Sequence, residues 1–432
     1  MMTLVIFLGL FFGLCLLLRV PAAFAMGIGA AAAFIYNGFP TTQMCQALYN
    51  QLDSVPFIAI PLFVLAGAIM EHGQISEVLV NWIKFFIGKF RGALGLVTIV
   101  ASAAFGVITG SAMATISAIG RIMGPSLEKN GYSKAYIGAL LASCGFLGIM
   151  IPPSIPGIMF ASASGEKTSE VWLSTIGPGL LFVLFYVIIN YVKVGRFEKR
   201  DDTPKMGPSE YMIAAAKTTW SALPAIIMPV IIFGGIYSGV FTATEAGAVT
   251  CMYGLIFIVV KFIITRTKAN ASALFHAAVA AGISTGTVCV LAAFANAAGR
   301  VITLAGVSNA LTSYVTANIG NPYLYLLLVN VIYLFAGTFL ECNCAILILV
   351  PLLLPPAKAL GIDPVHFGSI TLVNLSVGNL TPPFAQGIFM ASKVVGASFV
   401  DIVKEIWPFL IASFAVILIV TYFPALSLFL VR

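Results

Sequence analysis

Apolar residues run along this chain in long uncharged blocks, with the polar residues gathered in short gaps between them. Blocks near 2–18, 22–37, 55–71, 133–163, 174–192, 218–238, 244–264, 274–296, 364–392 and 402–428 have the character of bilayer-spanning helices. Two further blocks, 92–125 and 322–357, are too long for one crossing. Gly106, Gly110 and Ser111 interrupt the first, and Gly337, Thr338 and Asn343 interrupt the second. Each predicts a re-entrant hairpin that enters and leaves on one side, its tip rich in small and polar residues. Ahead of each hairpin stands a weaker amphipathic stretch, 75–91 and 300–318, expected to lie along the membrane interface.

Two of the blocks are broken by paired prolines. Gly148-Ile149-Met150-Ile151-Pro152-Pro153 and Gly378-Asn379-Leu380-Thr381-Pro382-Pro383 stand 230 residues apart. The register persists without a gap, matching Gly131 to Gly361, Gly138 to Gly368, Gly157 to Gly387 and Pro178 to Pro408. A Pro-Pro step cannot continue a helix, because both rings lack a donor and clash with the preceding turn. Irregular backbone at membrane depth survives only where protein buries it or a polar cavity solvates it. Matching breaks in two halves are therefore the pattern of a secondary transporter that binds its cargo near the midplane.

Basic residues set the direction of the halves. Arg91, Arg121, Lys129 and Lys134 flank the first hairpin and put its base in the cytoplasm. The basic loop around Lys193–Lys205 and the cluster Lys261, Arg266 and Lys268 then fall on the same side. The second hairpin has only Lys358 and Asp363 nearby, which suits the external side. Segments 133–163 and 364–392 consequently run in opposite directions. The expected fold is an all-α polytopic membrane protein built as an inverted repeat, with two re-entrant hairpins and two discontinuous helices. Residues 1–54 form N-terminal scaffold helices, 55–192 the first repeat, 193–217 a cytoplasmic loop, 218–265 further scaffold helices, and 274–432 the second repeat.

Composition narrows the function classes. Of 432 residues, 60% are hydrophobic and only 9% charged, against about a quarter charged in soluble domains. The net charge of +7 comes from helix ends and loops and does not indicate nucleic-acid binding. The N-terminus lacks a basic stretch and small-residue cleavage site, so its first apolar block is expected to be a retained helix. Seven scattered cysteines, with Cys342 and Cys344 as the one close pair and no histidine beside them, indicate neither a zinc site nor a disulfide framework. No Walker-type phosphate loop and no catalytic triad spacing are present, so an enzyme is not expected, and neither is a cofactor beyond a coupling ion.

The candidate chemistry lies at the hairpin tips and breaks. A monovalent cation such as Na⁺ is held by several neutral oxygens, and unwound carbonyls with Ser/Thr hydroxyls supply them. In the first half the candidates are Thr109, Gly110, Ser111 and Thr115 with Ser143, Gly148, Ile151 and Pro153; in the second they are Gly337, Thr338, Gly378, Thr381 and Pro383. Small residues at such positions also serve close helix packing. Candidate contacts for an acid substrate are Ser111, Ser154, Arg300, Asn343 and Asn379. Arg300 either attracts a carboxylate or marks the interfacial end of its segment. Glu341 either lines the substrate path or ties down the second tip, and Glu245, after Thr242, reads as a gating charge or a helix cap.

These residues resemble the large membrane subunit of TRAP (tripartite ATP-independent periplasmic) transporters. The likeness rests on Gly110-Ser111-Ala112-Met113-Ala114-Thr115, on Gly148 through Ser154, on Phe241-Thr242-Ala243-Thr244-Glu245-Ala246 and on Asn374 through Pro383. Ala243 stands where the family usually has proline, and Asn379 where many relatives have a hydrophobic residue. The resemblance implies the translocating subunit of a Na⁺-driven importer of organic acids, of the sialic acid or C4-dicarboxylate class, in a bacterial inner membrane. It further implies an elevator-type motion, a separate small four-helix membrane subunit and a soluble periplasmic binding protein that delivers substrate. The alternative is a stand-alone sodium–dicarboxylate symporter that needs no binding protein.

Overall fold

A computed structural model describes residues 2–73, 75–87, 92–194, 207–265 and 268–432. Every regular element among them is a helix. Seven helices are long and apolar enough to cross a membrane among the described residues, or up to nine when each bent pair counts as one span. Arg91, residues 195–206 of the expected 193–217 loop and Arg266, which entered the reading of orientation, lie outside the described residues.

The same order of elements occurs twice. A long helix (Val55–His72) leads to a short one (Ile75–Ile87), then to a hairpin (Ala93–Thr109 and Ala112–Lys129). A broken helix (Lys134–Gly145, Leu147–Met150, Ile155–Ser164) and a long closing helix (Thr168–Val194) follow. The second series runs Lys268–Leu304, Val307–Asn318, the hairpin Pro322–Phe339 and Cys342–Ala359, the broken helix Pro364–Gly378 and Gln386–Val395, and the closing helix Phe399–Tyr422. Each broken helix starts the same way. Gly131 and Gly361 turn the chain with φ of 92° and 77°, a region open to glycine, and two residues later Ser133 and Asp363 cap the first turn.

Glycines set how hairpins and breaks meet. A Cβ on Gly106 would stand 2.1 Å from the Gly148 Cα, and one on Gly378 would stand 2.6 Å from the Gly337 Cα. Each hairpin's first leg thus touches its broken helix backbone to backbone, a contact that any side chain would prevent. Both Pro-Pro bonds are cis, and the first broken helix bends by 45° across its break.

Contacts at both ends fix the relative direction of the broken helices. Lys358, ahead of the second, pairs at 3.1 Å with Glu166, just past the end of the first. At the other end Val395, which closes the second, faces Gly138 near the start of the first. The two therefore lie antiparallel.

The remaining helices pack around this unit. Ala22–Tyr36 joins Met2–Leu17 and Lys268–Leu304, while Val55–His72 packs against Ala243–Thr265 and Lys268–Leu304. Boundaries differ from expectation where polar caps or sparse apolar residues decide them. Lys268–Leu304 runs through residue 300, so the second short helix begins only after Gly306. Pro208–Tyr237 starts earlier than expected, its N-terminus fixed by Glu210 accepting the Gly207 N–H at 3.1 Å. Thr41–Leu52, with 12 residues too short to cross alone, makes a bent pair with the helix that follows it, and its Ala47 carbonyl accepts from Asn296 Nδ2 at 2.7 Å.

Candidate functional site

Both hairpin tips and both breaks open onto one cavity of about 630 Å³. Thr109, Gly110 and Ser111 enter from the first hairpin, Ile149 and Ile155 from the first break. Glu341 and Asn343 enter from the second hairpin, with Asn379 and Gln386 from the second break. Scaffold residues on Val55–His72 and Lys268–Leu304 close the opposite wall. The cavity therefore lies on the seam between the hairpin unit and its surround. Among the described residues its lining contains no Lys, Arg or His.

Four helices begin at this cavity. Ala112–Lys129 starts behind Ser111, Ile155–Ser164 behind Ser154, Cys342–Ala359 behind Glu341 and Gln386–Val395 behind Ala385. Each first turn carries unpaired N–H groups and a positive partial charge, which favours anions. Three of the four ends are partly filled by their own caps. The Ser111 hydroxyl accepts from Ala114 N at 3.5 Å, and the Ser154 hydroxyl from Gly157 N at 3.2 Å. The Glu341 carboxylate accepts from Asn343 N at 3.1 Å, Asn343 Nδ2 at 2.7 Å and Cys344 N at 3.3 Å.

At the first hairpin, oxygens gather beside the break. The Thr109 and Thr115 hydroxyls stand 3.3 Å apart, and Thr115 donates to the Ser111 carbonyl at 2.8 Å. Thr115 Oγ1 and the Ser111 carbonyl also crowd the missing Cβ of Gly148, at 2.6 and 3.2 Å. The Pro153 carbonyl comes within 2.9 Å of where a Cβ on Gly110 would sit. Ser143, fully buried just ahead of the break, has a hydroxyl with no partner. Hydroxyl and carbonyl lone pairs without a carboxylate are the donor set that suits Na⁺. Ile151 contributes backbone to the break, while its side chain lies against Gly179.

The second half places Gly337 against Gly378, with the buried Thr338 donating to the Phe335 carbonyl at 2.8 Å and Thr381 donating to the Val377 carbonyl at 2.9 Å. Both hydroxyl protons are thus spent on backbone, leaving their lone pairs free for a cation. Thr338 and Thr381 are not among the residues that line the cavity, and Pro383 is exposed.

Not every candidate reaches the cavity. Ser154 is buried, its carbonyl taking the Trp172 Nε1–H at 3.1 Å, and it faces away from the lining. Arg300 is exposed and stands outside the lining, because its helix continues to Leu304. Glu245 holds Thr242 reciprocally. Its carboxylate accepts the Thr242 N–H at 2.8 Å, and its own N–H donates to the Thr242 hydroxyl at 3.3 Å, which is a capping box.

Some lining residues were not singled out from sequence. Glu71 faces the cavity and pairs at 2.7 Å with Arg121 on the first hairpin's returning leg, linking scaffold to hairpin. Ser284 and Thr287, one helical turn apart in an otherwise apolar block, carried a readable signal. Gln386 carried none, since only its place after the second break brings it inward.

Comparison with known proteins agrees with this geometry. The family model described as "Tripartite ATP-independent periplasmic transporter, DctM component" matches residues 8–426. The C4-dicarboxylate TRAP transporter large permease protein DctM of Pseudomonas aeruginosa is 32% identical, over 93% of this chain and 92% of its own length. The sialic acid TRAP transporter large permease protein SiaM of Vibrio cholerae is also 32% identical, over 95% and 94%. The isethionate TRAP transporter permease protein DctMQ of Oleidesulfovibrio alaskensis is 34% identical over 97% of this chain, which spans 65% of that longer relative. Among solved structures, the YdaH transporter of Alcanivorax borkumensis shares the fold with a TM-score of 0.63 at 14% identity, covering 91% of this chain and 89% of its own. The chain belongs to the DctM family, the large membrane subunits of tripartite ATP-independent periplasmic transporters.

Proposed function

We propose that this chain is the translocating subunit of a Na⁺-coupled, binding-protein-dependent importer of organic acids, working by elevator-type alternating access. One observation carries the reading: a single cavity receives both hairpin tips and both helix breaks, on the seam between that unit and the scaffold. A unit that slides along such a seam would expose the cavity to one side at a time, as inverted halves allow.

In the first half, Thr109, Ser111, Thr115 and the backbone at Gly148 would hold one Na⁺; in the second, Gly337, Thr338, Gly378 and Thr381 would hold another. A bound cation supplies positive charge that the cavity lining lacks. Glycine backbone contacts bring each hairpin against its break, and the helix N-termini would turn their amides toward a substrate carboxylate. The relatives named for C4-dicarboxylates and for sialic acid support an organic acid as the substrate. A small membrane subunit would brace the scaffold, and a periplasmic binding protein would deliver the substrate.

Reconstitution with both partners tests this directly. Labelled sialic acid and succinate are offered to vesicles under an inward gradient of Na⁺ or of K⁺. Accumulation of an acid only with Na⁺ and only with the binding protein is expected. Equal accumulation in K⁺ would remove the sodium coupling, and full uptake without the binding protein would favour a stand-alone symporter.

A further inference from the structure

A gap runs between the scaffold helix Val55–His72 and the first hairpin's returning leg, Ala112–Lys129. Its inner part is the cavity of the hairpin tips, lined by Val64, Ala68 and Glu71 on one helix and by Ala112 and Ala114 on the other. Its outer part, toward the hairpin's base, is a second cavity of about 600 Å³. Ser76, Glu77 and Asn81 on Ile75–Ile87 bound that space on one side, and Ala118 and Arg121 on the returning leg bound it on the other. Glu71 borders both cavities. Its carboxylate meets the Arg121 guanidinium at 2.7 Å, the one ion pair between these two helices among the described residues. The pair therefore stands where the two spaces meet.

The second half meets its scaffold differently. The register that pairs the Pro-Pro steps carries Arg121 to Pro351. The Pro351 ring lies 3.4 Å from where a Cβ on Gly299 would sit, and its carbonyl accepts from the Ser308 hydroxyl at 3.0 Å. Lys268–Leu304 and Val307–Asn318 both pack along that returning leg. Close packing closes the second half, whereas a pair of charges with a cavity on either side spans the first. The Arg121 side chain is 62% exposed and that of Glu71 27%. A pair so open to water adds little stability and comes apart readily, as a gate must. Arg121 Nε also donates to the Ser117 carbonyl at 3.3 Å, which keeps the guanidinium beside the gap when Glu71 lets go. Arg121 is the one cation lining either cavity among the described residues, and Glu71 and Glu77 beside it repel anions.

Resting on the organic-acid reading of the inner cavity, we propose that Arg121 is a carboxylate-binding step on the substrate's path between that cavity and the first hairpin's base, and that Glu71 is its gate. Closed, Glu71 occupies the guanidinium and bridges the gap. Open, the substrate carboxylate takes the place of Glu71 on Arg121, in the paired hydrogen bonds that a guanidinium offers, and passes from one cavity to the other.

Charged thiol reagents test the path without requiring transport. Ala68→Cys places a thiol on the inner cavity wall, in membrane vesicles that hold both membrane subunits. It is labelled from the face carrying the first hairpin's base, and labelling of the chain without the added cysteine is subtracted. An anionic sulfonate reagent is compared with a cationic ammonium reagent of similar size. Glu71→Gln frees Arg121 and is expected to raise the anionic-to-cationic ratio of labelling rates by about threefold or more. Arg121→Gln breaks the same pair but leaves Glu71 and Glu77 uncompensated, and is expected to lower that ratio by about threefold or more. Arg121→Lys keeps the charge and should hold the ratio near native. A ratio that moves the same way in Glu71→Gln and Arg121→Gln, or stays native in both, would overturn the gate while leaving acid uptake by native vesicles untouched. The expected labelling pattern in vesicles that take up no organic acid would instead overturn the organic-acid reading, and with it the ligand assigned to Arg121.

Discussion

Glycine is the residue on which the site's geometry turns. At Gly106 two helices approach so closely that a single methyl group has no room, since the nearest atoms are the Gly148 backbone and cannot swing aside. Gly106→Ala should therefore lower stability by about 1–3 kcal/mol, the usual cost of overpacking, and push the first hairpin off its break. A thermal-unfolding comparison with Gly124→Ala, whose Cβ would meet nothing within 4 Å, checks this; equal melting temperatures for the two would contradict it. The importance of Gly106, Gly110 and Ser111 was legible in the chain, because small and polar residues inside an apolar block need a reason. Their individual duties were not. Whether Ser154 lines a cavity or caps a helix depends on a rotation about the break, and whether Arg300 faces a ligand depends on where its helix stops. Neither is written in local composition.

Among the elements, the hairpin base shows how a few polar contacts hold an apolar structure together. Asn190, 1% exposed on the first closing helix, donates to the Gly92 carbonyl at 2.9 Å and accepts from the Tyr136 hydroxyl at 3.1 Å. It joins the closing helix, the hairpin and the broken helix at one point. Asn190→Leu keeps the volume but removes both of these hydrogen bonds, a loss of about 1–3 kcal/mol in all. We expect a lower melting temperature and faster thiol labelling of a cysteine placed at the hairpin base; unchanged labelling would show that the base is held by packing alone. The second half uses a different device, in which Asn374 donates to Asn330 at 2.8 Å and Asn330 to Thr421 at 2.9 Å. Spans, hairpins and breaks could be read from uninterrupted hydropathy and paired prolines. The polar Thr41–Leu52 helix and the start of Pro208–Tyr237 could not, since tertiary contacts and a cap decide them.

For the whole molecule, direction matters more than count. Antiparallel broken helices, joined by Glu166–Lys358 at one end and by Val395 on Gly138 at the other, put two similar half-sites on opposite sides of one cavity. The Arg121–Glu71 pair bridges the hairpin unit and the scaffold across the seam along which movement is proposed. The register of the two halves was present in the sequence, but the shared cavity was not, because it forms between segments hundreds of residues apart. The function proposed for it depends on cations binding at both breaks. The most direct measurement is equilibrium binding of radioactive sodium to the purified membrane complex, native and with Thr115→Val or Thr381→Val, which remove one hydroxyl from either half while keeping its shape. Two saturable sodium ions in the native protein and one fewer in each variant are the predicted result. Absence of saturable sodium binding, or native binding in both variants, would contradict the account.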